Sequence, residues 1–463
     1  MSDRAESPER GVRKCDLLIR NAYVITMDPK RAKFPKGAVA IYGRDIVAVG
    51  PEADVAPRFR PLRIIDANGA PVHPGYIDLH YHISGHLASK LLEDGAASSE
   101  GAGAWIASRY QHFFNGLGDE EEYASALLAG LDMLRNGFTM YVEPGTIHNP
   151  DVIAEACEGL GIRAWVGDPW LWDVETSGGL RIDRAPIDTK RCLKLLGGQL
   201  WRNKDPDALV GAHVAIYGGG SQSEELMRAA KACADDHNVP FNTHQSMSEG
   251  DAGFDAERFG CPAYVHWSKI GVLDRKCVFV HSNVLQDDEI QPIIDSGMTI
   301  VWVPGNSFYY GMRKRVPNRI PELYHKGLNI GFGLDVSKTW TFGHNTLLAY
   351  NIAREEEQYL FPDDLLAIQT INGAKAMMVD DRLGSLEPGK RADLVIRSND
   401  SPWNYPVHHI ERDLTLYSLT RSVDTVIVDG RIVVKNGHHV LLDEEVIYQR
   451  AQKAAEKLLE GAG

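Results

Sequence analysis

The sequence predicts an α/β chain: a (β/α)8 barrel in the middle and a small all-β unit assembled from both chain ends. Three observations carry this. Apolar runs of strand length alternate with helical segments over roughly 300 residues, the pattern of a parallel sheet with helical cover. Eight such runs can be read, the number that closes a barrel. Strand-rich stretches without a long helical period lie near both termini. A doubly wound sheet shares the alternation, and periodicity alone does not separate the two.

The elements follow in order. Residues 16–72 read as short strands and turns: "DLLIRNAYVITM", "GAVAIYGRDIVAVG" and "PLRIIDANGAPV". The eight barrel candidates are "GYIDLHYH", "TMYVEPG", "RAWVGDPW", "ALVGAHVAIY", "VPFNTHQS", "CVFVHSNV", "TIVWVPG" and "LNIGFGLD". Helical segments between them include "EEEYASALLAGLDMLRNG", "PDVIAEACEGLG" and "SEELMRAAKACADDHN". The first two end in Asn-Gly and Gly, residues that suit a helix C-terminus. Towards the end, "ADLVIRSN" and "VDTVIVDGRIVVKNG" are strands again, with an Asp-Gly hairpin turn between β-branched runs. "EEVIYQRAQKAAEKLLEG" reads as a final amphipathic helix. The expected boundaries are 1–73 with 384–442 for the composite β unit, 74–383 for the barrel and 443–463 for the C-terminal helix. The barrel is then an insertion, which costs little if its two ends lie close together.

Bulk properties exclude some classes. A net charge of −14 argues against nucleic-acid or anionic-membrane partners. No apolar run is long enough to span a bilayer, and "MSDRAESPERGVRKCD" lacks the apolar core of a secretory signal. Six cysteines without any CxxC pair suit reduced thiols, so a cytoplasmic location is expected.

The chemistry lies at the strand ends. In an extended strand residues i and i+2 point the same way, so His80 and His82 face one side and could share a metal. The same pair also occurs as ordinary polar residues at a strand end. His86 reads as a loop residue and a poor ligand candidate. His244, His281 and Asp335 close the fifth, sixth and eighth candidate strands, at the rim where barrel sites form. Each alone is weak; together they form a constellation that chance rarely supplies. Such a set of imidazoles and a carboxylate would hold a zinc-like ion and leave room for water.

At these residues the chain resembles the amidohydrolase superfamily of metal-dependent hydrolases. "DLLIRNAYVITMDP", "RDIVAVG", "PGYIDLHYH", "TINGAKAMMVDDRLGSLEPGKRADLVI" and "VDTVIVDGRIVVKNG", in that order, carry the resemblance over nearly the whole length. It implies a distorted (β/α)8 TIM barrel plus a β-sandwich built from the N- and C-terminal segments. It implies His80, His82, His244 and Asp335 as metal ligands. His281 would orient water or the substrate, and Asp335 would also accept a proton from the attacking water. One divalent ion is expected, zinc by its ligands, with cobalt, iron or manganese also accepted. A second metal would need a bridging lysine, and "ALVGAHVAIYGGG" has none; Glu143 is the remaining bridge candidate. The resemblance also implies a homo-oligomer, a dimer or tetramer, acting on a small molecule.

One position departs from the pattern. Relatives that deaminate rings carry HxxE, whose glutamate moves a proton to a ring nitrogen. Here His244 is followed by Met247. Glu249 and Glu143 are the alternative acids. Without that shuttle, attack on an exocyclic carbonyl is expected: a urea, carbamate or thiocarbamate. Aromatic loops point to a neutral, apolar substrate: Trp170 and Trp172 after strand three, and Asn306, Phe308, Tyr309 and Tyr310 after strand seven. His213 and Tyr217, from strand four, complete the set of substrate-binding candidates. The set is similar to the phenylurea and thiocarbamate (molinate) herbicide hydrolases. The alternative is an aminohydrolase of a pyrimidine, purine or triazine ring. A silent scaffold is a third reading, against which the complete ligand set argues.

Overall fold

The computed structural model describes residues 12–91, 110–176, 179–336 and 340–460. Residues 1–11, part of the stretch read for a signal, lie outside it. Both chain ends contribute to one nine-stranded sheet. Its N-terminal strands are β1 (Arg13–Ile25), β2 (Lys33–Tyr42), β3 (Asp45–Pro51), β4 (Phe59–Asp66) and β5 (Pro71–Pro74). Strand β5 pairs parallel with β1 on one side. On the other it pairs antiparallel with a strand that follows the barrel, Leu394–Arg397, so the two ends are joined there. The expected hairpin links Val423–Val428 to Arg431–Lys435. Asp429 and Gly430 turn it with φ of 52° and 75°, the left-handed pair that a tight hairpin requires.

The eight expected barrel strands are all present and parallel. They are β6 (Tyr76–Asp78), β7 (Phe138–Val142), β8 (Arg163–Val166), β9 (Val210–Ala212) with β10 (Val214–Gly218), β11 (Phe241–Gln245), β12 (Cys277–His281), β13 (Thr299–Trp302) and β14 (Asn329–Phe332). Their residues are buried almost without interruption, as parallel strands covered on both faces demand. The fourth strand is split at His213: β9 pairs with β8, whereas β10 pairs with β11.

The seam between first and last strands removes the doubly wound alternative. Leu79 N donates to Phe332 O and Asp335 N to His80 O, each at 2.8 Å, and Tyr81 bridges in parallel to Asp335. The fully buried Asp78 fastens the same seam. Its carboxylate accepts from His80 N at 2.9 Å and from Leu334 N at 3.0 Å. The sheet closes into a cylinder there.

Helices cover the barrel, and their ends follow local rules. Asn149 caps the helix Pro150–Leu160, which stops at Gly161 with φ 75°. Ser223 caps Glu224–His237, and Asn238 ends it in the left-handed region. The final helix, Glu444–Glu460, buries Ile447, Ala451 and Leu458 against the barrel side. Arg163 on β8, 5% exposed, joins barrel to sheet. It pairs with Asp393 at 2.8 Å and with Asp429 at 2.7 Å. Among the described residues no helix is long and apolar enough to cross a membrane.

Candidate metal-binding active site

At the C-terminal rim the ends of strands one, five, six and eight converge. The ring of His80 lies 4.7 Å from that of His82, 4.6 Å from His244 and 5.5 Å from His281. Ligand-capable atoms of His80, His244 and His281 all fall within 4.8 Å of one another, and so do those of His80, His82 and Asp335. His82 Nε2 is 3.3 Å from Asp335 Oδ1. His281 and Asp335 sit at φ of 80° and 68°, uncommon for residues with side chains and often found where function dictates geometry.

Hydrogen bonds fix which ring nitrogens are bare. His244 Nδ1 donates to Tyr217 O, a carbonyl that can only accept, so its neutral ring leaves a lone pair on Nε2. Thr146 Oγ1 donates to Glu143 Oε1 at 2.7 Å and accepts from His82 Nδ1 at 2.6 Å, leaving His82 Nε2 bare as well. These two Nε2 atoms face each other at 3.3 Å. Two lone pairs repel at that distance unless a cation lies between them. Neither nitrogen of buried His80 has a hydrogen-bond partner. Burial holds the His80 and His244 rings well below their ordinary pKa, so they stay neutral and able to ligate. The donor set therefore fits a divalent ion. The two trios share His80, and their ring nitrogens and carboxylate oxygen are donors that a divalent ion accepts. Glu143 lies outside the cluster; its carboxylate accepts from Gly145 N, Thr146 N and Thr146 Oγ1. Burial pushes it up to about 7. It reaches the cluster only through Thr146, which bonds His82, an outer contact of the kind that orients an imidazole. Thr146→Val is expected to weaken metal affinity by about 10–100-fold, read by competition with a chelator.

Glycine matters at one position here. Gly218 ends β10 at φ 75°, and a Cβ on it would stand 2.3 Å from His244 O. This close approach lets strand four carry Tyr217 against the ring of His244, 5.0 Å away.

A cavity of about 380 Å³ opens above the cluster. His82, His244, His281 and Asp335 form its floor; Phe114, Trp170, Trp172, Leu180, Tyr217 and Phe254 form its walls. Trp170 packs 5.2 Å from Trp172 and 5.5 Å from Tyr217. No lysine or arginine is among the described residues that line it.

The structure brings together His80, His82, His244, His281 and Asp335, and it places Trp170, Trp172 and Tyr217 in the wall. Other substrate-binding candidates lie outside that lining. Asn306 is fully buried and donates to Asp335 Oδ2 at 2.9 Å, 3.4 Å from His281 Nδ1. It positions both. His213 is bonded to Glu143 O at 2.8 Å, at the split in strand four. Phe308 is 44% exposed, and Tyr309 packs on Tyr310 and Trp340. Glu249 points away, paired with Arg315 at 2.8 Å on the half-exposed outer side. Sequence reasoning missed Asp78, Thr146, Phe114, Phe254 and Asp251. The one advance signal for Asp251 was local: "SEGD" spaces a serine and an aspartate as a helix-capping box does.

Comparison with known proteins agrees with this geometry. A family model described as "Amidohydrolase family" matches residues 72–433. A 5-methylthioadenosine/S-adenosylhomocysteine deaminase of Syntrophobacter fumaroxidans is 26% identical over 460 residues, covering 96% of this chain and 99% of that protein. A 5'-deoxyadenosine deaminase of Methanosarcina mazei is 26% identical over 461 residues, covering 96% and 98%. The solved structure of an adenosine deaminase from Xanthomonas campestris, with bound zinc, superposes with a TM-score of 0.84. It is 23% identical and covers 97% of this chain and all of its own, a likeness of fold. These relatives correct the expectation drawn from Met247. They are named as deaminases, not as phenylurea or thiocarbamate hydrolases, and carbonyl hydrolysis of a urea or carbamate does not stand.

Proposed function

This chain belongs to the amidohydrolase family, and from that membership we propose that it is an aminohydrolase. It would replace the exocyclic amino group of a nitrogen heterocycle, a purine first, by oxygen and release ammonia. The observation that carries this reading is the full-length match to relatives named as adenosine-type deaminases. The cavity supports it: flat aromatic walls suit stacking of a planar ring, and its volume of about 380 Å³ suits a small ligand. The absence of cations among the described lining residues favours an uncharged substrate over a nucleotide.

A divalent ion held by His80, His82, His244 and Asp335 would lower the pKa of water towards neutrality. The protein's own groups do the rest. Asp335 accepts the proton of the attacking water and is held for it by Asn306. His281, on the cavity floor, faces the oxygen as the new bond forms. Trp170, Trp172 and Tyr217 hold the ring and exclude water. The test is ammonia release by the purified, metal-loaded enzyme. Adenosine, 5'-deoxyadenosine and 5'-methylthioadenosine are tried beside aminopyrimidines and aminotriazines, with the amine-to-oxo change followed by ultraviolet absorbance. Turnover of an aminopurine is the expected result. Failure to release ammonia from any of these rings would sink the reading.

A further inference from the structure

Adding water to a ring carbon pushes an electron pair onto the neighbouring ring nitrogen. That nitrogen is a poor anion and needs a proton as the bond forms. Asp335 is engaged with the water, and the thioether of Met247, in the cavity lining, carries no proton. The two glutamates available in the sequence are placed elsewhere. Glu249 is tied to Arg315 outside, and Glu143 is closed behind Thr146. Among the described residues lining the cavity, the carboxylic acids are Asp335 and Asp251.

Asp251 is held on the loop that follows His244. Its Oδ2 accepts from Met247 N at 2.8 Å; its Oδ1 accepts from Ser248 N at 2.6 Å and from Ser248 Oγ. The carboxyl is thereby fixed one helical turn beyond the methionine, in the first turn of the helix Glu249–Phe259. Phe254, in the same cavity wall, lies three residues further on. Burial raises the Asp251 carboxyl above its ordinary range against these donors, which favours the protonated form.

We propose that Asp251 carries a proton to the substrate's ring nitrogen, the task that Met247 cannot perform. This rests on the deamination reading. The water oxygen bonds to the amino-bearing carbon, and Asp335 takes a water proton. The C=N π pair moves to the ring nitrogen, which takes the proton of Asp251. On collapse the carbon–amine bond breaks and the amine leaves as ammonia with the proton from Asp335. The new hydroxyl returns its proton to Asp251 as the carbonyl forms, and the ring N–H stays in the product. Both acids are regenerated.

The test compares Asp251→Asn with Asp251→Glu and Glu249→Ala on the best aminopurine nucleoside. Asp251→Asn should lower kcat at least about 100-fold with little change in KM. It should also lose affinity for a hydrated-ring analogue bearing the ring N–H, while binding a planar analogue with carbon in place of that ring nitrogen as the parent does. Asp251→Glu should recover part of the rate. Glu249→Ala, which removes only the outer pair with Arg315, should keep at least about a tenth of the activity. Asp251→Asn within tenfold of the parent, or with unchanged affinity for the hydrated-ring analogue, would overturn the proposal and leave Asp251 a helix cap. A parent enzyme that releases no ammonia would instead overturn the deamination reading, and this role with it.

Discussion

Asp335→Asn is expected to lower kcat/KM by at least about a thousandfold without unfolding the protein, because in the proposed function this one side chain serves two tasks. Asparagine fills the same volume and keeps an oxygen. It cannot take the water proton, and it supplies no negative charge to offset a divalent ion. Its neighbours are built around a carboxylate: Asn306 donates to Oδ2 at 2.9 Å, and Val336 N donates to Oδ1 at 2.7 Å. His244→Ala should lose as much by a different route, removing a ligand whose bare nitrogen is fixed by Tyr217 O. Steady-state kinetics with metal content by mass spectrometry separates the two. Asp335→Asn should retain part of the metal, and His244→Ala little. Activity within tenfold of the parent in either variant would refute the ligand assignment.

The second large effect is on stability. Arg163→Met should cost about 3–5 kcal/mol, the range for breaking a buried ion pair from one side. Arg163 is 5% exposed and Asp393 4%, with bonds of 2.8 and 3.1 Å between them. Removing the guanidinium leaves the buried Asp393 without a countercharge, its carboxylate holding only the bond from Asp429 N at 2.8 Å among the described residues. Asp429 suffers less, since Arg44 Nε also approaches it at 3.2 Å. Chemical denaturation measures the loss, and its size should change little with salt because the pair is shielded from solvent. Turnover per folded molecule should not fall, as Arg163 lies at the opposite end of its strand from the site. A loss below about 1 kcal/mol, typical of surface pairs, would show that the junction is held by apolar packing instead.

The barrel was legible in the sequence because parallel strands buried on both faces are written as continuous apolar runs. "CVFVH" and "TIVW" can hardly be anything else. The rim residues were legible because each ends such a run. What escaped notice depends on distance through space. Asp78 and Leu334 meet across 256 positions of chain, and Thr146 bonds His82 across 64. No period or spacing announces either contact. The error over function had the same root. Met247 was read as the loss of an acid, whereas the cavity lining holds a second carboxyl four positions on, in the first turn of the helix that follows. A fixed spacing describes one way of placing a group, and a fold can place it by another.

The seam stitched by Asp78 also dictates an order of events. The first barrel strand is made early, but its edge has no partner until the segment ending in Asp335 has been synthesised. A chain that ends before Asp335 therefore carries the imidazoles without the carboxylate, and never the whole set. On the proposed ligand set, a divalent ion would bind at full strength only to chains whose cylinder has closed. Each occupied site then favours the closed form by mass action.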